Sequence, residues 1–384
     1  MPLHLATSPH QPAEYANPER AIISVAASDD VRALISQCPA YEPTPLHTLL
    51  NKARALGIGS LQYKDESFRF GLNAFKALGG TYAVGKVLLN YIEKQSGRQA
   101  DFKTLAEGGY KDLISDITVT CASAGNHGRA VAAGAKHFGC HAVIFLPNDA
   151  ADEREQMIKD TGADIIRHTG DYDDTLVVAE NTAREKNWIV ISDTAWPGYE
   201  DIPQTVMIGY TVMIAEAVDQ LMATKQPLPT HVFIQGGVGG VAAAVAGYLA
   251  DRYGTARPMV IVVEPEAADC LYNSSRQGRL SESTGSGKTF MGPLNCRAPS
   301  SIAWAILSKH ADAFMTISDA MAQDVINQLK TPIGDDPLIL VGPAGCASTA
   351  GLCHVADSEV MRGQLKLDEN SRVLVFGTEG ALPS

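Results

Sequence analysis

The sequence predicts an α/β protein built as two doubly wound parallel-sheet lobes. Three observations carry this. Short apolar, β-branched runs alternate with segments of helical period across most of the chain, with brief loops between them, and that order builds parallel sheets with helices on both faces. The 384 residues exceed what one hydrophobic core usually serves. The alternation also comes in two series, broken at 194–204 by TAWPGYEDIPQ, a stretch that reads as the linker.

Residues 1–20, rich in Pro, Ala and polar side chains, are expected to form an extended arm. PTPLHTLLNKARALG (43–57) reads as a turn and a helix stopped by Gly57, and 60–67 alternates as a strand. The 81–95 segment has helical period. The first series follows: strands at 117–123, 141–147, 163–168 and 188–193, with helices at 125–139, 151–162 and 173–186. The second has helices at 203–223, 239–254, 301–309 and 318–330, with strands at 230–235, 259–265 and 372–380. The predicted division is a large domain of 1–80 with 205–384 and a small one of 81–204.

The formal charge of −12 repels phosphate backbones, so nucleic acid is not an expected partner, although a local pocket can still hold a small anion. The seven cysteines are odd in number and form no CxxC pair, which argues against a disulfide framework or a structural zinc site. The N-terminus lacks a basic region followed by an apolar stretch, and no uninterrupted apolar run is long enough to span a bilayer. A cytoplasmic protein with no membrane partner and no metal is expected.

Four stretches carry candidate chemistry. In SFRFGLNAFKALGG (67–80), Lys76 sits in an apolar run between glycines. It is either a helix residue whose head snorkels to water, or an amine kept partly dry and nucleophilic, ready to condense with an aldehyde. QGGVGGVAAAVAG (235–247) follows a strand and opens a helix. Its glycines suit a compact cup for one phosphate. The spacing Gly237-x-Gly239-x-x-Ala242, with Glu264 downstream, also resembles a dinucleotide fingerprint, which makes a nicotinamide-dependent dehydrogenase an alternative. Close helix–strand contact is a third reading. SAGNHG (123–128) places Ser123 and Asn126 at a helix N-terminus, as an ordinary cap or as a seat for a carboxylate. TGSGKT (284–289) imitates a phosphate loop, but Glu282 stands where that motif needs glycine, so a surface loop is expected. Asp193 either caps a turn or meets substrate. His127 is expected to pack or to hydrogen-bond, Trp196 and Tyr199 to pack in the core or else to gate a pocket, and Cys121 and Cys346 to be inert.

Together these stretches resemble the fold type II, tryptophan-synthase-β-like pyridoxal-phosphate enzymes, and within them the diaminopropionate ammonia-lyases. The likeness runs along YKDESFRFGLNAFKALGG (63–80), GNHGRAVA (125–132), DTAWPGYEDIP (193–203), GYLADRYG (247–254), VEPEAADCLY (263–272) and GDDP (334–337). It implies pyridoxal 5′-phosphate held between the two lobes. It implies Lys76 as the residue that carries it, with Gly236, Gly237, Val238, Gly239 and Gly240 around the phosphate. Asn126 would meet the phenolic oxygen and Thr378 the ring nitrogen. Ser123, Ala124 and Gly125 would meet the substrate, with Asp193 beside it as a catalytic acid or base. A homodimer is implied by the resemblance alone.

Two departures stand out. The family usually has aspartate where this chain has Ala124, so the turn reads like that of serine and threonine dehydratases. It also tends to have Gly-Glu-Ser-Gly where this chain has Gly342-Pro343-Ala344-Gly345. The expected activity is elimination of ammonia from a small L-amino acid such as 2,3-diaminopropionate. Dehydration of a β-hydroxy amino acid is the alternative with the same cofactor.

Overall fold

The computed structural model describes residues 5–7, 14–170 and 172–381. Their strands are β1 (Leu5–Thr7), β2 (Leu46–Thr48), β3 (Ser60–Asp65), β4 (Thr118–Ala122), β5 (His141–Leu146) and β6 (Asp164–Arg167). They continue with β7 (Ile189–Val190), β8 (His231–Gln235), β9 (Met259–Pro265), β10 (Ala313–Ile317) and β11 (Arg372–Gly377). They form two sheets, ordered β1-β10-β9-β8-β11-β3-β2 and β6-β5-β4-β7. The smaller sheet is parallel throughout; in the larger, only the edge pairs β1/β10 and β2/β3 are antiparallel.

The chain divides into two compact units. One comprises 1–28, 43–75 and 210–384; the other comprises 29–42 and 76–209. The expected boundaries at 80/81 and 204/205 therefore shift by several residues, and 29–42 belongs with the smaller unit. The reason is local. Leu34, near the end of helix Val25–Ile35, and Gln37, just past it, line a hollow together with Lys86, Leu89, Asn90 and Phe102, so this segment serves the second unit.

The larger unit has a core in which Tyr63, Phe233, Ile261, Val263, Met315 and Val375 are all buried. The strands β8, β9 and β10 are buried along nearly their whole length, as expected where helices cover both faces of a parallel sheet. The smaller core gathers Ala122, Val143, Phe145 and Ala179, with Ile166, Leu176 and Trp188 against it.

The turn after β3 is held by a buried charge network. Arg69 donates to Glu66 (2.9 and 3.0 Å) and to Glu216 (2.8 and 2.7 Å). Lys64 Nζ donates to Glu216 (2.7 Å), to Gln220 (3.0 Å) and to the Thr44 carbonyl (2.7 Å). Two cations and two carboxylates thus balance in a site where none of the four residues exceeds 2% exposure. Beyond it the backbone takes left-handed turns at Phe70 (φ 51°), Gly71 (φ 67°) and Asn73 (φ 58°) before the next helix begins.

Several elements differ from expectation. Asn17–Ile22 is helical rather than part of an extended arm; residues 1–4 and 8–13 lie outside the described residues. The 43–57 stretch gives a short strand and the helix Leu50–Ala55. The helix expected from 81 begins at Lys76. Helix Asp201–Ala223 is long and apolar enough to cross a membrane, but most of its apolar window is buried in the protein, as in a core helix.

Candidate active site

In each sheet the strand order reverses at one place, and ligands of doubly wound sheets bind beyond the strand ends at such a reversal. In the smaller sheet the reversal lies between β4 and β7. The loop after β4 carries Ser123, Ala124, Gly125 and Asn126, and the loop after β7 carries Asp193.

Helices Lys76–Ser96 and Asn126–Phe138 cross at short range because both present small residues. A Cβ on Gly80 would lie 2.7 Å from Ala130 Cβ, and Thr81 Oγ1 donates to the Ala130 carbonyl at 3.1 Å. Lys76, the first residue of one, and His127, the second of the other, meet at Asp193. Lys76 Nζ donates a short hydrogen bond to Asp193 Oδ2. His127 Nδ1 faces the same oxygen at 3.9 Å. The other ring nitrogen, Nε2, donates to the Ile191 carbonyl at 2.8 Å, which fixes the ring. Burial raises the Asp193 carboxyl, but Lys76 and His127 outweigh it and hold the group well below the usual carboxylate range. Burial and then Lys76 keep the His127 imidazole below its ordinary value, against the pull of Asp193.

The turn is braced from outside. Tyr199 donates to the Val190 carbonyl (2.7 Å) and accepts from Ser192 N–H (3.0 Å), and its ring stacks on Trp196 at 4.3 Å. Both aromatics are half-buried struts rather than the core residues expected. His127 is buried and hydrogen-bonded, as expected, and its second ring nitrogen faces Asp193. At the start of helix Asn126–Phe138 the N-cap is Gly125, with no side-chain cap, while Ser123 Oγ accepts from Gly125 N–H at 3.3 Å. Ser123 is therefore not the ordinary cap, and the helix N-terminus suits an anion.

The larger sheet reverses between β8 and β11. Residues 236–240 follow β8, and Thr378 follows β11. Gly236 N–H donates to Val263 O (2.8 Å) and Gly239 N–H to Gly236 O (3.2 Å). The amides of Gly237, Val238 and Gly240 make no hydrogen bond among the described residues. Gly239 sits at φ 98°, and a Cβ there would press on Ala303, Leu307 and Leu271 at 3.1–3.3 Å. These N–H groups, with the N-terminus of helix Gly240–Tyr253 behind them, fit the phosphate of pyridoxal phosphate.

Gln235 ties the neighbouring segments: its Nε2 donates to Gly345 O (2.8 Å) and Phe376 O (2.7 Å). Glu379 accepts from Ala344 N–H at 2.9 Å, so the 342–345 loop is clamped beside GTEG. Thr378 is buried, and its carbonyl accepts from Phe75 N–H (3.0 Å), the residue immediately before Lys76.

The dinucleotide reading fails at Glu264. Its two oxygens accept from Leu271 N–H (2.9 Å) and Tyr272 N–H (2.7 Å), and the side chain is fully buried, so it cannot receive ribose hydroxyls. The 284–289 stretch is an exposed loop without helix or strand, as expected. All seven cysteines are free, and Cys121 and Cys346 are buried with thiols raised by that burial. No cluster of three or more metal-ligating side chains exists among the described residues.

The family model of the pyridoxal-phosphate dependent enzymes matches residues 38–379. The diaminopropionate ammonia-lyase of Salmonella typhimurium strain LT2 is 37% identical over 357 residues, covering 91% of this chain and 88% of that protein. That of Escherichia coli strain K12 is 39% identical over 344 residues, covering 88% and 85%. The crystal structure of the Escherichia coli enzyme with an aminoacrylate–pyridoxal-phosphate azomethine intermediate superposes with TM-score 0.88 at 35% identity, covering 98% of this chain and 93% of that one. With the anion cup after β8 and the lysine–aspartate pair after β7, these likenesses show that the chain belongs to the pyridoxal-phosphate dependent enzymes, in the group that contains the diaminopropionate ammonia-lyases.

Proposed function

We infer that the protein is a lyase that eliminates ammonia from a small L-2,3-diamino acid such as 2,3-diaminopropionate, leaving pyruvate and ammonia after hydrolysis. The observation that carries this is the Lys76–Asp193 pair at the reversal of the smaller sheet, in a chain over a third identical to such lyases.

Pyridoxal phosphate, when bound, supplies an aldehyde for the amino group and a conjugated ring that draws electron density from Cα. This chain's residues do the rest. The Gly237, Val238 and Gly240 amides hold the phosphate, with Gly236 and Gly239 giving the loop its shape. Asn126 and Thr378 orient the ring. The N-terminus of helix Asn126–Phe138, with Ser123, Ala124 and Gly125, seats the substrate carboxylate. Lys76 removes the Cα proton as general base and can deliver it to the departing amine. Asp193 steers the Lys76 amine and stabilises its protonated form.

A second reading, dehydration of a β-hydroxy amino acid, draws support from Ala124 and Pro343. Neither brings the carboxylate that a second substrate ammonium would use, since an unpaired buried cation is costly. Incubation with L-diaminopropionate, L-serine and L-threonine, followed by assays for pyruvate and 2-oxobutyrate, separates the two. Turnover of L-serine or L-threonine well above that of L-diaminopropionate overturns the first reading. The cytoplasm suits the seven free cysteines. A homodimer follows the family resemblance, and sedimentation of the pure protein tests it.

A further inference from the structure

Behind the anion cup lies a carboxylate that the reaction does not use. Glu264, at the end of β9, is fully buried directly beneath the loop 236–240: a Cβ placed on Gly236 would lie 2.5 Å from Glu264 Cγ and 3.2 Å from its Cδ. A phosphate dianion on the loop and an ionised glutamate under it repel each other across a single layer of backbone.

The other titratable groups near it supply no cation. Asp269, in the loop before helix Cys270–Gln277, adds a like charge and is itself bonded to Ser283 Oγ at 2.6 Å. Cys270, at the start of that helix, and Cys296, beside Gly237, bring thiols. From β10, Thr316 stands opposite in register, and the helix Ser301–His310 brings apolar Ala303 and Leu307 to the loop.

The local bonding accommodates two protonation states. Ionised, the carboxylate accepts from Leu271 N–H, Tyr272 N–H and the Cys270 thiol, whose sulfur is 3.6 Å from Oε1. The same sulfur is 3.5 Å from the Gly237 carbonyl, which belongs to the cup. With a proton on Oε1, the carboxyl donates to Cys270 Sγ and the S–H turns to Gly237 O. No amide partner is lost in either state.

We propose that Glu264 is a proton-exchanging floor to the phosphate cup: when a phosphate monoester settles on 236–240, the carboxyl beneath takes up one proton from solvent, and Cys270 switches its hydrogen bond from Glu264 to Gly237. Nothing else is exchanged; the conjugate acid of the buffer supplies the proton. The free chain is poised for this, because burial pushes the Glu264 carboxyl up to about 8. The inference rests on the assignment of 236–240 as the phosphate site. It makes cofactor retention weaken with rising pH independently of Lys76.

The test is calorimetric. The full chain, freed of cofactor with hydroxylamine, is titrated with phenyl phosphate at about pH 8.5 in two phosphate-free buffers of different ionisation enthalpy. Phenyl phosphate has no aldehyde and is already a dianion there. The expected uptake is a large fraction of one proton per phosphate bound, about three-quarters if Glu264 titrates half a unit below the buffer pH. Glu264→Gln should abolish the uptake and flatten the fall in affinity above pH 8. Should that variant not fold, the infrared difference spectrum of the wild-type chain decides, since phosphate binding must raise a protonated-carboxyl band. Binding without uptake overturns the inference and leaves the cup standing. Uptake that persists in Glu264→Gln overturns the assignment to Glu264. Failure of phenyl phosphate to bind or to compete with pyridoxal phosphate overturns the cup itself.

Discussion

Replacing Arg69 by methionine tests whether the turn before Lys76 is held by balanced buried charge. The substitution keeps an unbranched stem and removes the guanidinium. The hydrogen bonds lost include two to Glu66, two to Glu216 and one to Thr44 Oγ1. What remains is Lys64 against two carboxylates, a net charge of about −1 at 0–2% exposure. Removing one partner of such a group costs about 3–5 kcal/mol, because the survivor stays buried without compensation. The double variant Arg69→Met/Glu216→Gln restores neutrality, since Lys64 then faces Glu66 alone. It should therefore be less destabilised than the sum of the single variants by about 1–3 kcal/mol. Lys64 keeps the Thr44 carbonyl and Gln220 as acceptors. Urea denaturation followed by circular dichroism measures all four species, and the cycle gives the coupling directly. A cost below about 1 kcal/mol for Arg69→Met, or simple additivity in the cycle, refutes the reasoning.

Asp193→Asn should lose stability above about pH 4 and converge on the wild type in acid. The native carboxyl lies below its ordinary value, so its contribution is present above the unfolded value and vanishes as pH falls through the native one. Unfolding midpoints between about pH 6 and 2 measure this; a gap that widens in acid contradicts it. Lys76→Ala should fold and bind pyridoxal phosphate without the absorbance near ~420 nm, and an unchanged visible spectrum would exclude Lys76 as the attachment point. Gly239→Ala forces a Cβ into a left-handed position against Ala303 and Leu271, costing about 1–2 kcal/mol, and should lower cofactor affinity by a similar amount in equilibrium dialysis. The chain should act on the L-isomer of diaminopropionate, with Ala124→Asp gaining turnover of the D-isomer; equal turnover of both by the native protein counts against this.

The reach of the sequence varied with how local the cause of each feature was. Strands β8 and β9 and the helix between them were legible because short apolar runs, glycine and an alanine-rich segment follow one another within 35 residues (231–265). Helix Cys270–Gln277 was not, because its first amides are met by Glu264, a residue on a different element. Helix Ala347–Ala356 hid in ASTAGLCHVA, whose small residues carry almost no period, and β10 was too short an apolar run to separate from its neighbours. Lys76, Asp193 and the 236–240 loop were singled out from the company they keep in the sequence. The partner of His127 was not, because the Ile191 carbonyl that fixes its ring lies 64 positions away.

The reversals of strand order put the 236–240 loop and the 123–126 turn on two separate sheets, so that on the proposed assignment the hold on the phosphate and the choice of reactant rest on separate scaffolds. A chain of this design is therefore modular in its chemistry. On that assignment a change at position 124 is expected to alter the molecule consumed while the anchoring of the cofactor stays as it was.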